Sequence, residues 1–229
     1  MFSDKYFWIA LKNNMWITLI SVFGQIPLGF FMAYLIFRGM IKGKDFFQTV
    51  IYLPCVISTV VIGRLWKAIT APNGALPDII RLFNPTYNPS NSTRPMIPVL
   101  LVILWMYTGT YLIIFLANMQ KIDTSVIEAA KIDGAGPIRS FFSITLPNIM
   151  KTILSLSIFF TMWRLTSFDL VYAMTSGGPG DSTSLLAYRI MQEAFTNLNL
   201  GYASAIAVCL FIVMTILSFI QLKAIKKFD

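Results

Sequence analysis

Apolar residues collect into long blocks along this chain, with short polar stretches between them. A membrane-spanning helix needs about 20 mostly apolar residues, and five blocks reach that length, at about 15–37, 46–69, 97–119, 149–172 and 202–222. The pattern predicts an all-α integral membrane protein with five transmembrane helices, folded as a single domain over residues 1–229. Pro27, Pro54 and Gly109 fall inside blocks and predict kinks, which membrane helices tolerate because neighbouring groups satisfy the freed backbone. Two long polar stretches lie between spans. Residues 70–96 are rich in Pro and Asn and read as irregular. Residues 173–201 hold the turn formers SGGPGDSTS, followed by LLAYRIMQEAF, in which Leu186, Ile190 and Phe195 predict a short interfacial helix.

The stretch EAAKIDGAGPIRSFFSITLP, Glu128 to Pro147, has a different grammar. Ser125 and Glu128 have capping-box spacing. A short helix follows, and Gly134 is suited to end it because glycine enters the left-handed region cheaply. Pro137 is suited to the first turn of a second helix, where its missing N–H is no loss. In that helix Ile138, Phe141, Phe142, Thr145 and Leu146 recur on one face, and Pro147 is expected to end it. The segment 120–147 thus reads as two helices around a glycine turn. Two readings stand: a linker packed on its own bundle, or a docking element gripped by a partner through apolar anchors.

Charge sets the orientation. The chain is 12% charged, against about a quarter in soluble domains. Its formal charge of +8 comes mostly from residues flanking the spans, so a nucleic-acid patch is not the expected reading. Arg38, Lys42, Lys44, Lys121, Lys131, Arg139, Lys223, Lys226 and Lys227 lie on one side; Lys5, Lys12, Arg81, Arg94 and Arg189 lie on the other. The positive-inside rule places the first set, and the C-terminus, in the cytoplasm. Residues 1–14 then begin outside without a signal-peptide pattern, which predicts a further helix ahead of the first block.

Several chemistries are excluded or left unsupported. The chain has no histidine, so no His metal site or His base exists, and no metal site is expected. Cys55 and Cys209 lie in apolar blocks and give no disulfide framework. Asn91-Ser92-Thr93 fits the glycosylation pattern, a match common by chance. No P-loop is present, so any ATP binds another polypeptide. Within the spans, Trp105, Tyr107, Tyr111, Trp163 and Phe168 are aromatic candidates for a substrate path. Arg164 is an ionisable residue deep in a block, where such groups face the bundle interior or a cavity. Asp169, five residues on, is a loose potential partner. A gating ion pair and a substrate contact are both open for Arg164, and Arg64 and Lys67 are expected to snorkel to the outer surface.

Three ordered motifs resemble one family. Glu128-Ala129-Ala130, Asp133-Gly134-Ala135, Phe141 and Ile144-Thr145-Leu146-Pro147 resemble the EAA loop of carbohydrate-type ABC-importer permeases. Leu116-Ala117 and Gln120-Lys121-Ile122 resemble its lead-in, with Asp123 where proline is more usual. Phe168-Asp169, Tyr172 and Thr175-Ser176-Gly177-Gly178-Pro179, then Gly201-Tyr202-Ala203-Ser204-Ala205, resemble later motifs of the maltose- and glycerol-phosphate-type first permease subunit. Leu53-Pro54, Trp66 and Gly74 fit as well. The resemblance covers nearly the whole chain, from the family's second span onward.

It implies the six-helix type I importer core with its first helix missing, in a bacterial cytoplasmic membrane. It implies a second homologous permease subunit as partner in a heterodimer, two ATPase subunits carrying ATP and Mg, and an extracellular sugar-binding protein meeting the Gly177–Pro179 loop. No cofactor is expected on this chain, and it is not expected to be an enzyme. Glu128, Arg139, Phe141 and Phe142 become candidate ATPase contacts, and Gly134 the residue that sets the angle between the two short helices. An ion-coupled secondary transporter and a non-transporting membrane scaffold are the alternatives; the first would normally carry more spans, internal repeats and acidic groups in the membrane.

Overall fold

The computed structural model describes residues 1–84 and 95–225. Asn91-Ser92-Thr93, Arg94, Lys226 and Lys227 lie outside those residues. The described residues form helices α1 (Lys5–Phe37), α2 (Lys44–Val56), α3 (Thr59–Thr70), α4 (Ala75–Phe83) and α5 (Met96–Met119). They continue with α6 (Thr124–Ile132), α7 (Ile138–Leu165), α8 (Asp169–Met174), α9 (Leu186–Met191) and α10 (Leu200–Ile225). Among the described residues, four helices are long and apolar enough to cross a membrane. The bent pair Lys44–Val56 and Thr59–Phe83, angled by 94°, has the length and composition of a broken span or a re-entrant loop.

The first span starts ten residues before its apolar block. The Asp4 carboxylate accepts the Tyr6 backbone N–H at 2.8 Å and caps α1. Asn13 and Asn14 then continue the helix, because their carboxamides find partners inside the bundle. The fourth span also differs from its block: α7 ends at Leu165, and a turn separates it from α8. The stretch 70–96, expected to be irregular, contains α4. The piece 186–196 is helical, but Leu186 and Arg189 are buried against neighbouring helices, so it is packed into the fold rather than laid on a surface.

The three expected kink residues act in three ways. Before Pro27, the segment Ser21–Gln25 widens into a π turn, and Ile26 donates its N–H to Ser21 O. The same device precedes Pro147. Phe141–Thr145 is a π turn, Leu146 donates to Phe141 O, and the helix runs through Pro147 instead of ending there. A proline ring clashes with the carbonyl four residues back and offers no N–H. One wide turn moves that carbonyl away, so both spans pass a proline intact. Pro54 instead lies just before the α2–α3 break, where Ile57 and Ser58 are extended. Gly109 makes no kink. It is a contact point: a Cβ there would lie 2.5 Å from Ile51 O.

Packing centres on α5. Its C-terminal half meets α1 through Phe30, Tyr34, Tyr111, Phe115 and Met119. Its N-terminal half meets α3 and α8 through Ile62, Val99, Val102, Leu170 and Val171. Gly29 lets α1 approach closely, since a Cβ would sit 2.5 Å from Tyr111 Cβ and 3.1 Å from Leu112 N. Gly29→Leu should therefore overpack this crossing and cost roughly 1–3 kcal/mol or more. The check is thermal melting of the detergent-solubilised protein. Gly201→Ala, at a position with open space around it, should melt like the parent.

Candidate functional site

The polar interior is built by the first span. Asn14, Thr18, Ser21 and Gln25 follow a 4-3-4 spacing, which is one helical face, and all are buried. Asn14 donates to Leu165 O at 3.0 Å at the end of α7 and accepts the Leu186 N–H at 2.9 Å. Asn13 donates to Ser182 O and Ser184 O at 2.8 and 2.9 Å. Two adjacent carboxamides thus tie α1 to the outer loop and to the end of the fourth span. In a bilayer no water competes for those backbone groups, so such partners are obligatory.

Below them sits Arg164, 1% exposed. Its Nε donates to Ser21 Oγ at 2.9 Å, and one terminal nitrogen donates to Gln25 Oε1 at 3.3 Å. The Gln25 amide in turn donates to Ile103 O on α5. The guanidinium lies 4.0 Å from the Tyr107 ring centroid and 5.2 Å from that of Trp163. Such cation–π contacts strengthen when desolvated. Among the described residues no carboxylate pairs with it: Asp169 is exposed at the start of α8.

The aromatic candidates divide into separate groups. Tyr107 and Trp163 pack edge to face at 5.4 Å beside Arg164. Tyr111 is fully buried on Phe160, whose ring also meets Trp163. Trp105 is half-exposed and pairs with Trp66 on α3. Phe168 stacks on Tyr172 at 5.2 Å and on Tyr188, near the outer loop. The group the structure assembles is Tyr107, Trp163 and Arg164 with Ser21 and Gln25. In the sequence the last two are marked only as part of a polar stripe on the first span.

At the other end of the bundle, α6 and the first turn of α7 form the expected helix pair. Asp133 N–H bonds Ala129 O, and Ala135 N–H bonds Ala130 O at 2.8 Å, across Gly134 at φ +73°. This is a Schellman closure, and it needs the left-handed glycine. The N-terminal cap differs from the expected box. Asp123 accepts the Ser125 N–H at 2.9 Å, which puts Ser125 inside α6 and leaves Glu128 exposed without the capping contact. A carboxylate at a helix start also suits the helix dipole.

That N–H bond, with the Ser125 hydroxyl, holds the Asp123 carboxyl below its usual range. The cap is therefore present above the ordinary carboxylate value and lost as pH falls through the lowered one. Asp123→Ala should speed amide exchange in the first turn of α6 at neutral pH while leaving the spans protected.

The apolar face of this loop is split between interior and exterior. Phe141 packs on Tyr34 at 4.8 Å and on Phe30 at 5.4 Å, so it clasps the loop to α1. Ile132, Ile138 and Phe142 are exposed. Ala129, Asp133, Arg139 and Pro147 are exposed too, while Ala130, Ala135 and Leu146 are half-buried. A notch of about 210 Å³ lies between the helices, lined by Ala130, Asp133, Arg139 and Ser140. At the opposite end of the bundle, Gly177 is buried at φ +79°, where a Cβ would lie 2.7 Å from the Tyr188 ring. Gly178 is half-buried and Pro179 exposed.

Residues 25–227 match the family of binding-protein-dependent transport system inner membrane components. The chain belongs to this family. It is 33% identical to the multiple sugar-binding transport system permease protein MsmF of Streptococcus mutans, over 100% of this chain and 79% of that one. It is 32% identical to the sn-glycerol-3-phosphate transport system permease protein UgpA of Escherichia coli, over 99% of this chain and 77% of that one. The fold matches a chain of a bacterial ABC transporter that imports the acidic polysaccharide alginate, with a TM-score of 0.80 at 20% identity. That match covers 99% of this chain and 81% of the other.

In this family member the buried arginine is a keystone of the fold as well as a candidate path residue. Arg164→Met should leave Ser21 and Gln25 without their buried partner, at about 1–3 kcal/mol. Asp169→Asn, at an exposed position, should stay within about 0.5 kcal/mol of the parent. Melting of both variants in detergent checks the contrast.

Proposed function

We propose that this chain is the membrane-spanning subunit of an ATP-driven importer for a sugar or sugar derivative handed over by an extracellular binding protein. Family membership supports the transport class, and the names of the relatives MsmF and UgpA support the substrate class. The single observation that carries the mechanism is the loop at α6–α7. It is a glycine-locked helix pair that presents Ile132, Ile138 and Phe142 outward while Phe141 fastens it to the bundle.

An interface helix of this kind transmits rigid-body motion between a soluble subunit and a membrane bundle. In the proposed complex two ATPase subunits carry ATP and Mg, and a cleft on one of them receives α6. Phe142 is the anchor, and Glu128 and Arg139 are the charged rim. The notch beside Asp133 and Arg139 accepts a partner side chain. Phe141 passes the push to Phe30 and Tyr34 on α1. A second homologous permease completes the pathway, with Trp163, Tyr107 and Arg164 on this subunit's share of it: ring faces suit sugar C–H surfaces and the guanidinium suits oxygen groups. The Gly177–Pro179 turn faces the binding protein, and the C-terminus is cytoplasmic in the bacterial inner membrane.

Gly134→Asp should abolish ATP-dependent sugar uptake in proteoliposomes containing all subunits, while membrane insertion stays at the parental level. Phe142→Ala should lower uptake at least about tenfold through loss of a buried aromatic anchor. Parental uptake in Gly134→Asp would remove the coupling role from this loop.

A further inference from the structure

A groove runs down the outer half of α1, between that helix and the start of α5. Its upper part is a cavity of about 810 Å³ whose lining includes Lys5, Lys12, Trp16, Leu100, Gly180 and Ser182. Its lower part, about 300 Å³, is lined by Trp16, Leu19, Ile20, Phe23, Gly24 and Leu100. The two parts adjoin at Trp16 and Leu100, which line both, with lysines at the top and apolar residues below. Glycine at position 24 keeps the lower floor open, since a Cβ there would already press Leu104 and Ile20 at 3.2–3.3 Å.

Helix geometry sets the depth of this groove. With a rise of 1.5 Å per residue, Trp16 stands about 33 Å and Lys12 about 39 Å along the axis from Arg38 at the inner end of α1. The hydrocarbon core is about 30 Å thick. Trp16 therefore sits at the outer hydrocarbon boundary, where indole rings concentrate. Lys12 stands one to two turns above it, in the phosphate layer, and Lys5 stands higher again on the same face. Lys12 and Trp16 are exposed; among the described residues the groove lining holds two lysines and no carboxylate, Asp181 being half-buried between the lining Gly180 and Ser182.

We infer that this groove binds an anionic glycerophospholipid of the outer leaflet. The headgroup phosphate lies between Lys12 and Ser182, and Lys5 meets the distal part of the headgroup. An acyl chain follows Trp16, Leu100, Leu19 and Phe23 toward Gly24. The charge pattern favours an anionic headgroup over a zwitterionic one, and the length of the apolar part favours a tethered chain over a free phosphate. The bound lipid would brace α1 against α5 beside the Asn13 contacts to the outer turn.

The test is native mass spectrometry of the detergent-solubilised full chain with equal amounts of phosphatidylglycerol and phosphatidylcholine. Phosphatidylglycerol adducts should dominate by about tenfold, in line with two basic residues near an anionic headgroup. Lys5→Gln/Lys12→Gln should erase the preference, and Lys5→Arg/Lys12→Arg should keep it. Both pairs lie on exposed positions, so parental melting in lipid-free detergent confirms folding.

Equal adducts in the parent, or an undiminished preference in the Gln pair, would overturn the site. Displacement of the lipid by soluble glycerol phosphate would show a site for the free anion instead. Loss of the adduct on assembly with the second permease, together with crosslinks from Trp16→Cys to that subunit, would make the groove a protein interface and equally refute the lipid.

Discussion

A guanidinium held inside the membrane slab by neutral partners is the constraint on which the bundle depends. Arg164 cannot be released to lipid, because a bare charge there is prohibitive. It is retained because Ser21, Gln25 and the Tyr107 face surround it. Those partners sit on different spans, so the first, third and fourth helices have to arrive together. Asn14 repeats the logic one step outward, satisfying the last carbonyls of α7 and the first amide of α9. Hydrophobic matching cannot fix helix rotation in a bilayer, since lipid is as apolar as leucine. Directional hydrogen bonds can, and here they define which face of α1 points inward.

The two π turns serve that same geometry. Each admits a proline without ending the helix, and each sets the direction of side chains that α1 or α7 presents to its neighbours. The first presents Ser21 and Gln25 to Arg164. The second presents Phe141 inward and Phe142 outward at the start of α7. A residue pair read as one greasy face is thereby split into a clasp and a free anchor. The loop helix is continuous with the fourth span, with no break at Pro147, so Phe142 sits on the same uninterrupted helix as Trp163 and Arg164.

Much of the architecture was legible as pattern. The apolar blocks coincide with four long helices and one bent pair, and Gly134 and Pro137 located the short helix pair. Boundaries were less legible. Block edges mark where side chains turn polar, while helices end where backbone groups find caps. Asp4 and Asp123 moved two helix starts for that reason, since a carboxylate one or two residues earlier captured the free N–H groups. The α4 helix was hidden in a stretch whose Pro and Asn content outweighed nine amphipathic residues. The Asn14–Gln25 stripe was present in the sequence, but polar residues inside an apolar block declare no partner until the opposing helix is known.

The sequence by itself determined composition and order: which segments enter the membrane, which side is basic, where glycine permits a turn, and which motifs run at the family's spacing. These depend on local chemistry, on transfer free energy, backbone freedom and charge. Only the tertiary structure decided which candidates meet. It joined Arg164 to Tyr107 and Trp163, left Trp105 and Phe168 in other groups, and left Asp169 in the open. It turned Phe141 inward and Phe142 outward. Contacts between distant helices depend on rotation and depth, and these are set by hydrogen bonds and close glycine crossings between segments far apart in the chain.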